Sequence, residues 1–484
     1  MNKLITYLIL VVSFCSACNR PTNVRKTDSL PPIYPDYTNI TIPVNIAPLN
    51  FLLREGITSS EISVQGTHLS FTLYQNEKVQ FSMKRWKHFL ESEVGNKVTV
   101  QITAKSNGEW ISYAPFYWTI VPEKIDPYLS YRLIEPGYEV WNTIQLCERN
   151  VETFRERVLA DNNLTDGTCM NCHIYGNQDA SLSMFHLRGS NGGTILNRNG
   201  ELRKINTKAD GQISPAIYGN FHPSGKYAVF STNTIIPEFH AYRNERLEVY
   251  DTESDLIVLD LESNKVFSSP LLSGKENLET FPVFSADGKT LYFCSAPAVA
   301  LPDSIQTLKY NLCSIAFHET NGSFGTQIDT LFHALEHNKS ACHPKTSPDG
   351  RYLLFTIADY GTFPIWHQET DLQMIDLHTG RLDSLAIVNS DRSDTYHSWS
   401  SNSRWFVFAS KRDDGLYGKP YFSYVDKQGT VHKPFVLPQR DPTKYDDMLK
   451  SFNIPELSKG QVPFGAGDIE KIHKNVPAES VSNR

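Results

Sequence analysis

The sequence predicts a mainly β protein, in which a small sandwich and a short helical segment precede a series of repeated antiparallel sheets. Apolar and polar residues alternate in short runs between Ile40 and Val121, which is the period of a half-buried strand. A pattern of turn followed by strand recurs between Tyr218 and Phe408. Aromatic residues make up 12% of the chain, which also contains 27 glycines and 27 prolines. This composition is typical of strands joined by many turns.

Residues 1–18 are predicted to be an export signal. Lys3 precedes an apolar run from Leu4 to Phe14 that is too short to span a bilayer. The run ends in Cys15-Ser16-Ala17-Cys18, which resembles a bacterial lipobox and implies lipidation of Cys18. An ordinary cleaved signal peptide is the alternative, because Cys15 stands where a lipobox usually has leucine. We therefore expect a lipid-anchored protein of the bacterial cell envelope that faces the periplasm.

Two segments follow the signal. Residues 19–38 contain four prolines and are predicted to form a flexible linker. Residues 39–125 are predicted to form a sandwich of the general immunoglobulin type, because alternating runs are separated by turn residues. A helix is expected from Met83 to Leu90, and the aromatic residues are assigned to the core.

Residues 126–182 are predicted to form a short helical segment. Ile144, Val151, Phe154 and Val158 recur at helical spacing, with charged residues between them. The segment is too short to form a complete domain. Residues of the following domain are therefore expected to complete any site that it carries.

The segment contains Cys169-Met170-Asn171-Cys172-His173, which has the C-x-x-C-H spacing of c-type haem attachment. Two thiols at this spacing can bond to the two vinyl groups of one porphyrin, and the histidine can bind the iron. A zinc ribbon would need a second C-x-x-C pair, and none follows residue 18. The sequence therefore predicts covalent haem c held by Cys169, Cys172 and His173.

Four turn segments recur after residue 182 and predict a propeller over 183–440. They are Tyr218–Gly225, Phe281–Gly288, His343–Gly350 and Tyr396–Ser403. An alternating strand follows each turn, which is the pattern of a propeller blade. A weaker blade is expected at 184–206, which gives five or six blades. Residues 441–484 are expected to form a C-terminal extension packed outside.

Pro344 to Gly350 resembles the P-x-F-S-P-D-G-K signature of TolB-like, WD40-related propellers, and the likeness covers about 215–430. The combination of lipobox, C-x-x-C-H and these repeats is similar to a group of propeller lipoproteins from Bacteroides-type bacteria, often labelled cytochrome c biosynthesis proteins. This resemblance implies an architecture more than an activity.

The second axial ligand of the haem iron is left open by the sequence. Met184 and His186 are closest to the motif, and residues two positions apart on one strand share a face. The alternative is that Met184 is a core residue and His186 is a hydrogen-bonded residue at the rim. His222, His343 and His397 stand where innermost strands are expected and are further candidates. An open sixth position is the remaining alternative.

Charge, cysteines and missing motifs narrow the function. The net charge of −7 gives no reason to expect nucleic acid as a partner. Cys147, Cys294, Cys313 and Cys342 are expected to be buried free thiols, with a Cys294–Cys313 disulfide as the alternative. No G-x-S-x-G elbow, H-E-x-x-H or Walker loop occurs in the sequence, which disfavours a hydrolase.

The leading hypothesis is an exported, lipid-anchored monohaem c-type protein that transfers electrons or senses redox state, with the propeller docking a protein partner. One alternative is a haem enzyme or ligand binder with an open sixth position. The other is a propeller scaffold that binds protein or glycan and has no redox role. Whether the protein is an enzyme stays open.

Overall fold

The computed structural model describes residues 21–135, 142–239 and 247–484 of the chain. The predicted signal and the lipidation site at Cys18 lie outside these residues. The fold is mainly β, as predicted, and it divides into two compact units. Unit 1 contains residues up to 124 together with 152–154 and 433–448, and unit 2 contains 125–151, 155–432 and 449–484. In the described ranges, no helix is both long enough and apolar enough to cross a membrane.

Unit 1 consists of two sheets and a helix. The strands of the larger sheet are Arg25–Lys26, Ile40–Pro43, Ile57–Gln65, Ser70–Gln75, Lys97–Ser106, Glu109–Ser112 and Phe116–Val121. Those of the smaller sheet are Ile33–Tyr34, Phe51–Leu53 and Lys78–Val79. Unit 1 also contains the strand Phe435–Val436 and the short helix Lys444–Asp447. The predicted helix is confirmed as Met83–Ser92, and it buries Trp86, Phe89 and Leu90.

The prediction of a flexible linker at 19–38 is wrong for the part of it that the structure describes. Arg25–Lys26 pairs in parallel with Ile111 and Ser112, and Ile33–Tyr34 pairs with Leu52 and Leu53. Proline cannot donate to a strand ladder, but sheet edges tolerate it. The proline-rich segment therefore runs along two sheet edges as part of unit 1.

The described residues of unit 2 form six mainly antiparallel sheets, numbered here in chain order. Sheet 1 contains Tyr128–Ile134, Gln145–Asn150, Glu156–Asp161 and Ser451–Ser458. Sheet 2 contains Met170–Gly176, Asp179–Leu187, Gly193–Arg198 and Glu201–Asn206. Sheet 3 contains Ile217–Phe221, Tyr227–Phe239, Leu247–Asp260 and Lys265–Phe267. Sheet 4 contains Asn277–Phe284, Thr290–Pro297, Asn311–His318 and Ser323–Phe332. Sheet 5 contains Ser340–Thr346, Tyr352–Ala358, Asp371–Asp376 and Arg381–Asp383. Sheet 6 contains Asp394–Trp399, Trp405–Ser410 and Lys419–Tyr424.

One strand of each sheet, called its inner strand here, contacts the inner strands of the neighbouring sheets. For sheets 1 to 6 the inner strands are Ser451–Ser458, Met170–Gly176, Ile217–Phe221, Asn277–Phe284, Ser340–Thr346 and Asp394–Trp399. They contact one another in this order, and the inner strand of sheet 6 also contacts that of sheet 1. This arrangement fits a propeller.

The predicted C-terminal extension is wrong for much of its length. Ser451–Ser458 is the inner strand of sheet 1, beside Tyr128–Ile134. Glu479–Ser480 and Ser482–Asn483 pair in parallel with the outer strands of sheets 2 and 3. The helix Ala466–Asn475 buries Ile469 and Ile472. Pairing with strands from the other end of the chain therefore builds this segment into unit 2.

The helical prediction for 126–182 is also wrong, because the described residues of this segment, 126–135 and 142–182, form strands of sheets 1 and 2 and one short 3₁₀ turn, Asn162–Leu164. The four middle residues of Gln145–Asn150 are all buried. A strand that is buried on both faces loses the alternation that marks strands in a sequence, so helical spacing was a poor guide here. The repeated sheets begin at Tyr128 and not at residue 183.

Apolar side chains pack between successive sheets. One cluster joins sheets 1 and 2 through Leu146 and Phe185, and the next joins sheets 2 and 3 through Met184 and Phe230. Further clusters lie between sheets 3 and 4 and between sheets 4 and 5. These clusters hold the sheets face to face and fix the positions of the inner strands.

Candidate functional site

Every inner strand of unit 2 carries a β-bulge at the same place. Its register shifts by one residue against the adjacent strand of the same sheet. At each bulge one residue has φ between 49° and 58°; these bulge residues are Ile454, Cys172, Tyr218, Phe281, His343 and Tyr396. A side chain in this left-handed region costs on the order of 1–2 kcal/mol, so the fold maintains six unfavourable residues.

All six bulge residues line one cavity of about 460 Å³. A bulge re-aims the side chains next to it, which explains why the same position faces the cavity in every sheet. His173 and His397, each directly after a bulge residue, also line the cavity. Residues 170–173 of the C-x-x-C-H motif therefore lie on the inner strand of sheet 2, directly after Cys169, and not in a separate helical segment.

Cys169, Cys172 and His173, the residues predicted to hold haem, all line this cavity. Both cysteines are free thiols, and Cys169 is more accessible than the buried Cys172. Burial raises the pKa of the Cys172 thiol, while Arg132 and Arg188 oppose the rise. The Oδ1 atom of Asn171 accepts hydrogen bonds from the Cys172 backbone at 2.9 Å and from Arg132 Nη1 at 2.8 Å.

His173 is a buried, uncharged histidine. Burial lowers the pKa of His173 to about 3, against an opposing effect of the Ser130 and Ile454 main chains, so the ring is neutral at pH 7. Within the described part of the chain, the buried Nε2 atom has no hydrogen-bond partner. A neutral imidazole with an unpartnered nitrogen can bind a metal ion.

Two further histidines line the same cavity. His397 donates from Nε2 to the Leu354 carbonyl at 2.9 Å, and its Nδ1 is buried without a partner. Nδ1 of His343 is likewise buried without a partner, and its ring packs 4.1 Å from Phe281 and 5.0 Å from Tyr396. Burial lowers the pKa of both rings, that of His397 to about 3.

Met184, His186 and His222 are not among the residues that line this cavity. Met184 and His186 lie on one strand, Asp179–Leu187, but this is the second strand of sheet 2. Met184 packs in the apolar cluster between sheets 2 and 3. His186 lines a separate cavity of about 570 Å³, with Nδ1 3.2 Å from Thr194 Oγ1. His222 donates from Nε2 to the Gly288 carbonyl at 3.1 Å.

The cavity is apolar with an excess of positive charge. Its charged lining residues are the cations Arg132, Arg188, Lys345 and Lys411 and the carboxylates Glu135 and Glu456. Lys411 donates to the Ile365 carbonyl at 2.6 Å, and burial lowers its pKa to about 8. The rest of the wall includes Phe363 and Trp366. Sequence reasoning missed the cations, although Lys345 stands two positions after a bulge residue. A cavity of this size and lining suits an apolar ligand that carries acidic groups.

In the described part of the chain, no group of three or more His, Cys, Asp or Glu residues is placed to hold a metal ion. Haem brings its own four nitrogen ligands and needs only one or two from the protein. The donor set of this cavity, two thiols and unpartnered nitrogens of three histidines, contains the groups that covalent haem needs.

Cys147, Cys294, Cys313 and Cys342 are all buried, as predicted, and the last three are free thiols. Cys294 lies opposite Leu312 in the strand register, and Cys313 lies opposite Phe293. Neighbouring positions on a strand point to opposite faces, so Cys294 and Cys313 face away from each other. The alternative of a Cys294–Cys313 disulfide is thus wrong.

No protein-family model and no curated protein matches the chain. Among solved structures, a puromycin-hydrolysing peptidase of Mycobacterium tuberculosis is 11% identical with a TM-score of 0.36, over 86% of this chain and 57% of the peptidase. A DUF4784 family protein from Bacteroides caccae is 8% identical with a TM-score of 0.32, over 73% of this chain and 95% of that protein. A prolyl endopeptidase is 15% identical with a TM-score of 0.35, over 65% of this chain and 42% of that enzyme. The chain thus spans about half the length of the two peptidases. These likenesses are too weak to bear on activity.

Proposed function

We propose that this chain is a lipid-anchored, monohaem c-type protein of the bacterial cell envelope that carries out electron transfer or redox sensing. In this proposal unit 2 is a six-bladed, TolB-like propeller that holds haem c in its central channel and docks a protein partner. Unit 1 is a sandwich of the immunoglobulin type, and Cys18 carries the lipid that anchors the chain, facing the periplasm.

The observation that carries the proposal is the meeting of the whole C-x-x-C-H motif in one cavity. Cys169, Cys172 and His173 line it together, and the buried Nε2 of His173 lacks a hydrogen-bond partner. Leaving a buried polar atom unpaired costs about 1–3 kcal/mol, so such an atom calls for an explanation. Binding to the haem iron would supply the missing partner.

The residues have distinct roles in this site. Cys169 and Cys172 would each add S–H across one vinyl C=C bond, which forms two thioethers and consumes neither an oxidant nor a reductant. His173 would bind the iron through its unpartnered Nε2. Arg132, Arg188 and Lys411 can pair with the two propionates. When bound, haem supplies a one-electron couple whose potential depends on the axial ligands.

Two proposals for the blades follow from the arrangement of unit 2. The contacts between sheets 6 and 1 support a closed propeller, since closure protects strand edges that would otherwise be exposed. The inner strand of sheet 1 comes from 451–458 and the rest of that sheet from 128–161. Such a sheet joins both ends of the unit and would close the ring.

The test is covalent haem in the full-length chain, produced in a bacterium that attaches c-type haem and extracted in detergent. We expect haem-dependent peroxidase staining that survives denaturing electrophoresis, followed by reduced and oxidised spectra of one c-type haem per chain. The double variant C169S/C172S is expected to lose the covalent haem. C313S is the matched control, because Cys313 is a buried free thiol of the core between sheets 3 and 4.

Absence of covalent haem from the parent chain would overturn the redox proposal and leave the propeller scaffold. Covalent haem with an open sixth position would favour the haem enzyme or ligand binder. Covalent, six-coordinate haem supports electron transfer.

A further inference from the structure

We propose that His343 is the second axial ligand of the haem iron, on the side of the cavity opposite His173. This inference rests on the proposed function, because it assigns a role within the same site. It replaces Met184 and His186, the two candidates closest to the motif in sequence, neither of which lines the cavity.

The order of the sheets places the two histidines opposite each other. His173 lies on the inner strand of sheet 2 and His343 on that of sheet 5. Sheets 2 and 5 are three steps apart in both directions along the cycle of inner-strand contacts. Side chains from these strands therefore approach the cavity from opposite sides. Two axial ligands of a planar macrocycle need this relationship.

The chemistry of His343 fits an iron ligand. Its Nδ1 is buried with no hydrogen-bond partner, as is Nε2 of His173. The ring is packed between Phe281 and Tyr396, the bulge residues of sheets 4 and 6. These contacts fix the plane of the imidazole and leave its nitrogens available. His343 is partly accessible, and it lines the cavity.

His397 is the competing candidate on the cavity wall, and its place in the cycle of sheets is less suitable. Its Nε2 donates to the Leu354 carbonyl at 2.9 Å, which leaves Nδ1 as the nitrogen that a ligand role would use. It lies on the inner strand of sheet 6, two steps from sheet 2 along the shorter path of contacts. Buried at 2% exposure, it supports the wall beside His343.

The test compares absorption and electron paramagnetic resonance spectra of the full-length holoprotein with those of H343A, H397N and H186A. We expect the parent and H186A to be six-coordinate and low-spin. H343A should retain covalent haem but become five-coordinate and high-spin, and its ferrous form should bind carbon monoxide at least tenfold faster. Added imidazole should restore the low-spin spectrum of H343A, because it can occupy the space left by the side chain. H397N should stay low-spin.

The outcomes separate the two proposals. A parent chain without covalent haem contradicts the proposed function itself. A holoprotein whose H343A variant stays low-spin, or whose H397N or H186A variant becomes high-spin instead, contradicts only the role of His343. If H343A fails to fold, H343M serves in its place. A methionine that binds the iron gives a distinct near-infrared band, which supports the role of His343. A spectrum identical to that of the parent contradicts it.

Discussion

Lys345 and Glu456 form an ion pair, with Nζ 3.0 Å from Oε1, at the boundary of two cavities. Both residues line the 460 Å³ cavity that contains His173 and also a second cavity of about 370 Å³. The Glu456 side chain is 10% exposed and that of Lys345 is 26% exposed. Lys345 and Glu456 each stand two positions after a bulge residue, His343 and Ile454. The repeated bulge therefore brings opposite charges from sheets 5 and 1 together.

Removing Lys345 should destabilise the fold. In K345M the buried Glu456 carboxylate loses its partner, and breaking a buried pair typically costs about 3–5 kcal/mol. We expect a loss near the lower end, about 3 kcal/mol, because Lys345 is partly exposed. Urea unfolding of the haem-free chain measures it. The loss should shrink as the pH falls, because burial raises the pKa of Glu456 despite Lys345, and the protonated side chain needs no partner.

The matched control is K339M. Lys339 pairs with Asp359 at 2.5 Å, but the two side chains are 32% and 56% exposed. Exposed pairs contribute about 0–1 kcal/mol, so K339M should be nearly neutral. Equal losses of unfolding free energy in K345M and K339M would mean that the contribution of the Lys345–Glu456 pair does not depend on burial.

Buried neutral histidines should make the fold sensitive to acid. Burial lowers the pKa of His173 and of His397 to about 3, below the ordinary value of 6.5. The unfolded chain therefore binds more protons below pH 6.5, and stability falls as the pH drops from 6.5 towards 3. For each histidine the free energy of unfolding changes by about 1.4 kcal/mol per pH unit in this window.

The variant H397N should reduce that slope, since asparagine can still donate to the Leu354 carbonyl but takes up no proton. The measurement is the unfolding free energy of the haem-free chain between pH 4 and pH 7. H318N is the control, because His318 is exposed on the last residue of its strand. An unchanged slope in H397N would show that His397 is not kept neutral by the fold.

The sequence predicted sheets 3 to 6 because their turns are local signals. Ser-Ala-Asp-Gly at 285–288 and Ser-Pro-Asp-Gly at 347–350 fix a tight turn within a few residues, and the following strands are apolar. Sheet 2 has no such signature. Its first turn uses Asn177 and Gln178, with φ of 52° and 54°, which few sequence rules single out.

The completion of sheet 1 and the placement of His343 opposite His173 depend on contacts between distant residues, which a local sequence pattern does not reveal. The inner strand of sheet 1 comes from residues 451–458, at the other end of the unit from Tyr128. One signal was nevertheless present. Cys172-His173 aligns with His343-Pro344 and Tyr396-His397 once the bulge is taken as the repeating unit. That alignment would have placed the motif inside the repeat.

Gly288 should be intolerant of a side chain for a reason that goes beyond its backbone. Its φ is +72°, and a Cβ there would overlap the imidazole of His222, which donates to the Gly288 carbonyl at 3.1 Å. G288A should cost about 1–3 kcal/mol for this overlap, in addition to the cost of the left-handed backbone. Thermal unfolding measures the difference.

Gly380 provides the matched control. It also has φ +72°, but a Cβ there meets nothing within 4 Å. G380A therefore carries the backbone cost alone, about 1–2 kcal/mol. If both variants are equally stable, the turn between the first two strands of sheet 4 is not packed against His222 as the structure has it.

His367 should give the fold an opposite, alkaline sensitivity. Burial lowers its pKa, but the carboxylates of Glu248 and Glu369 outweigh this and raise the pKa to about 9. Nε2 lies 3.2 Å from Glu248 Oε1, and Nδ1 lies 3.4 Å from Glu369 Oε1. The stabilisation is complete below pH 6.5 and is lost as the pH rises through 9, which amounts to about 3 kcal/mol. Because Val249 and Phe363 pack together beside these residues and line the 460 Å³ cavity, loss of the ion pairs should also loosen the wall of that cavity.

The variant H367Q removes the titrating group, so its unfolding free energy should no longer fall as the pH rises from 6.5 to 9.5. H318Q is its control. If the parent chain and H367Q lose stability equally over this range, the imidazole is not charged between the two carboxylates. The unfolding free energy of H367Q should stay constant between pH 6.5 and pH 9.5, while that of H397N and H173N should still fall. This result would show that the acid and alkaline limits of stability arise from separate histidines.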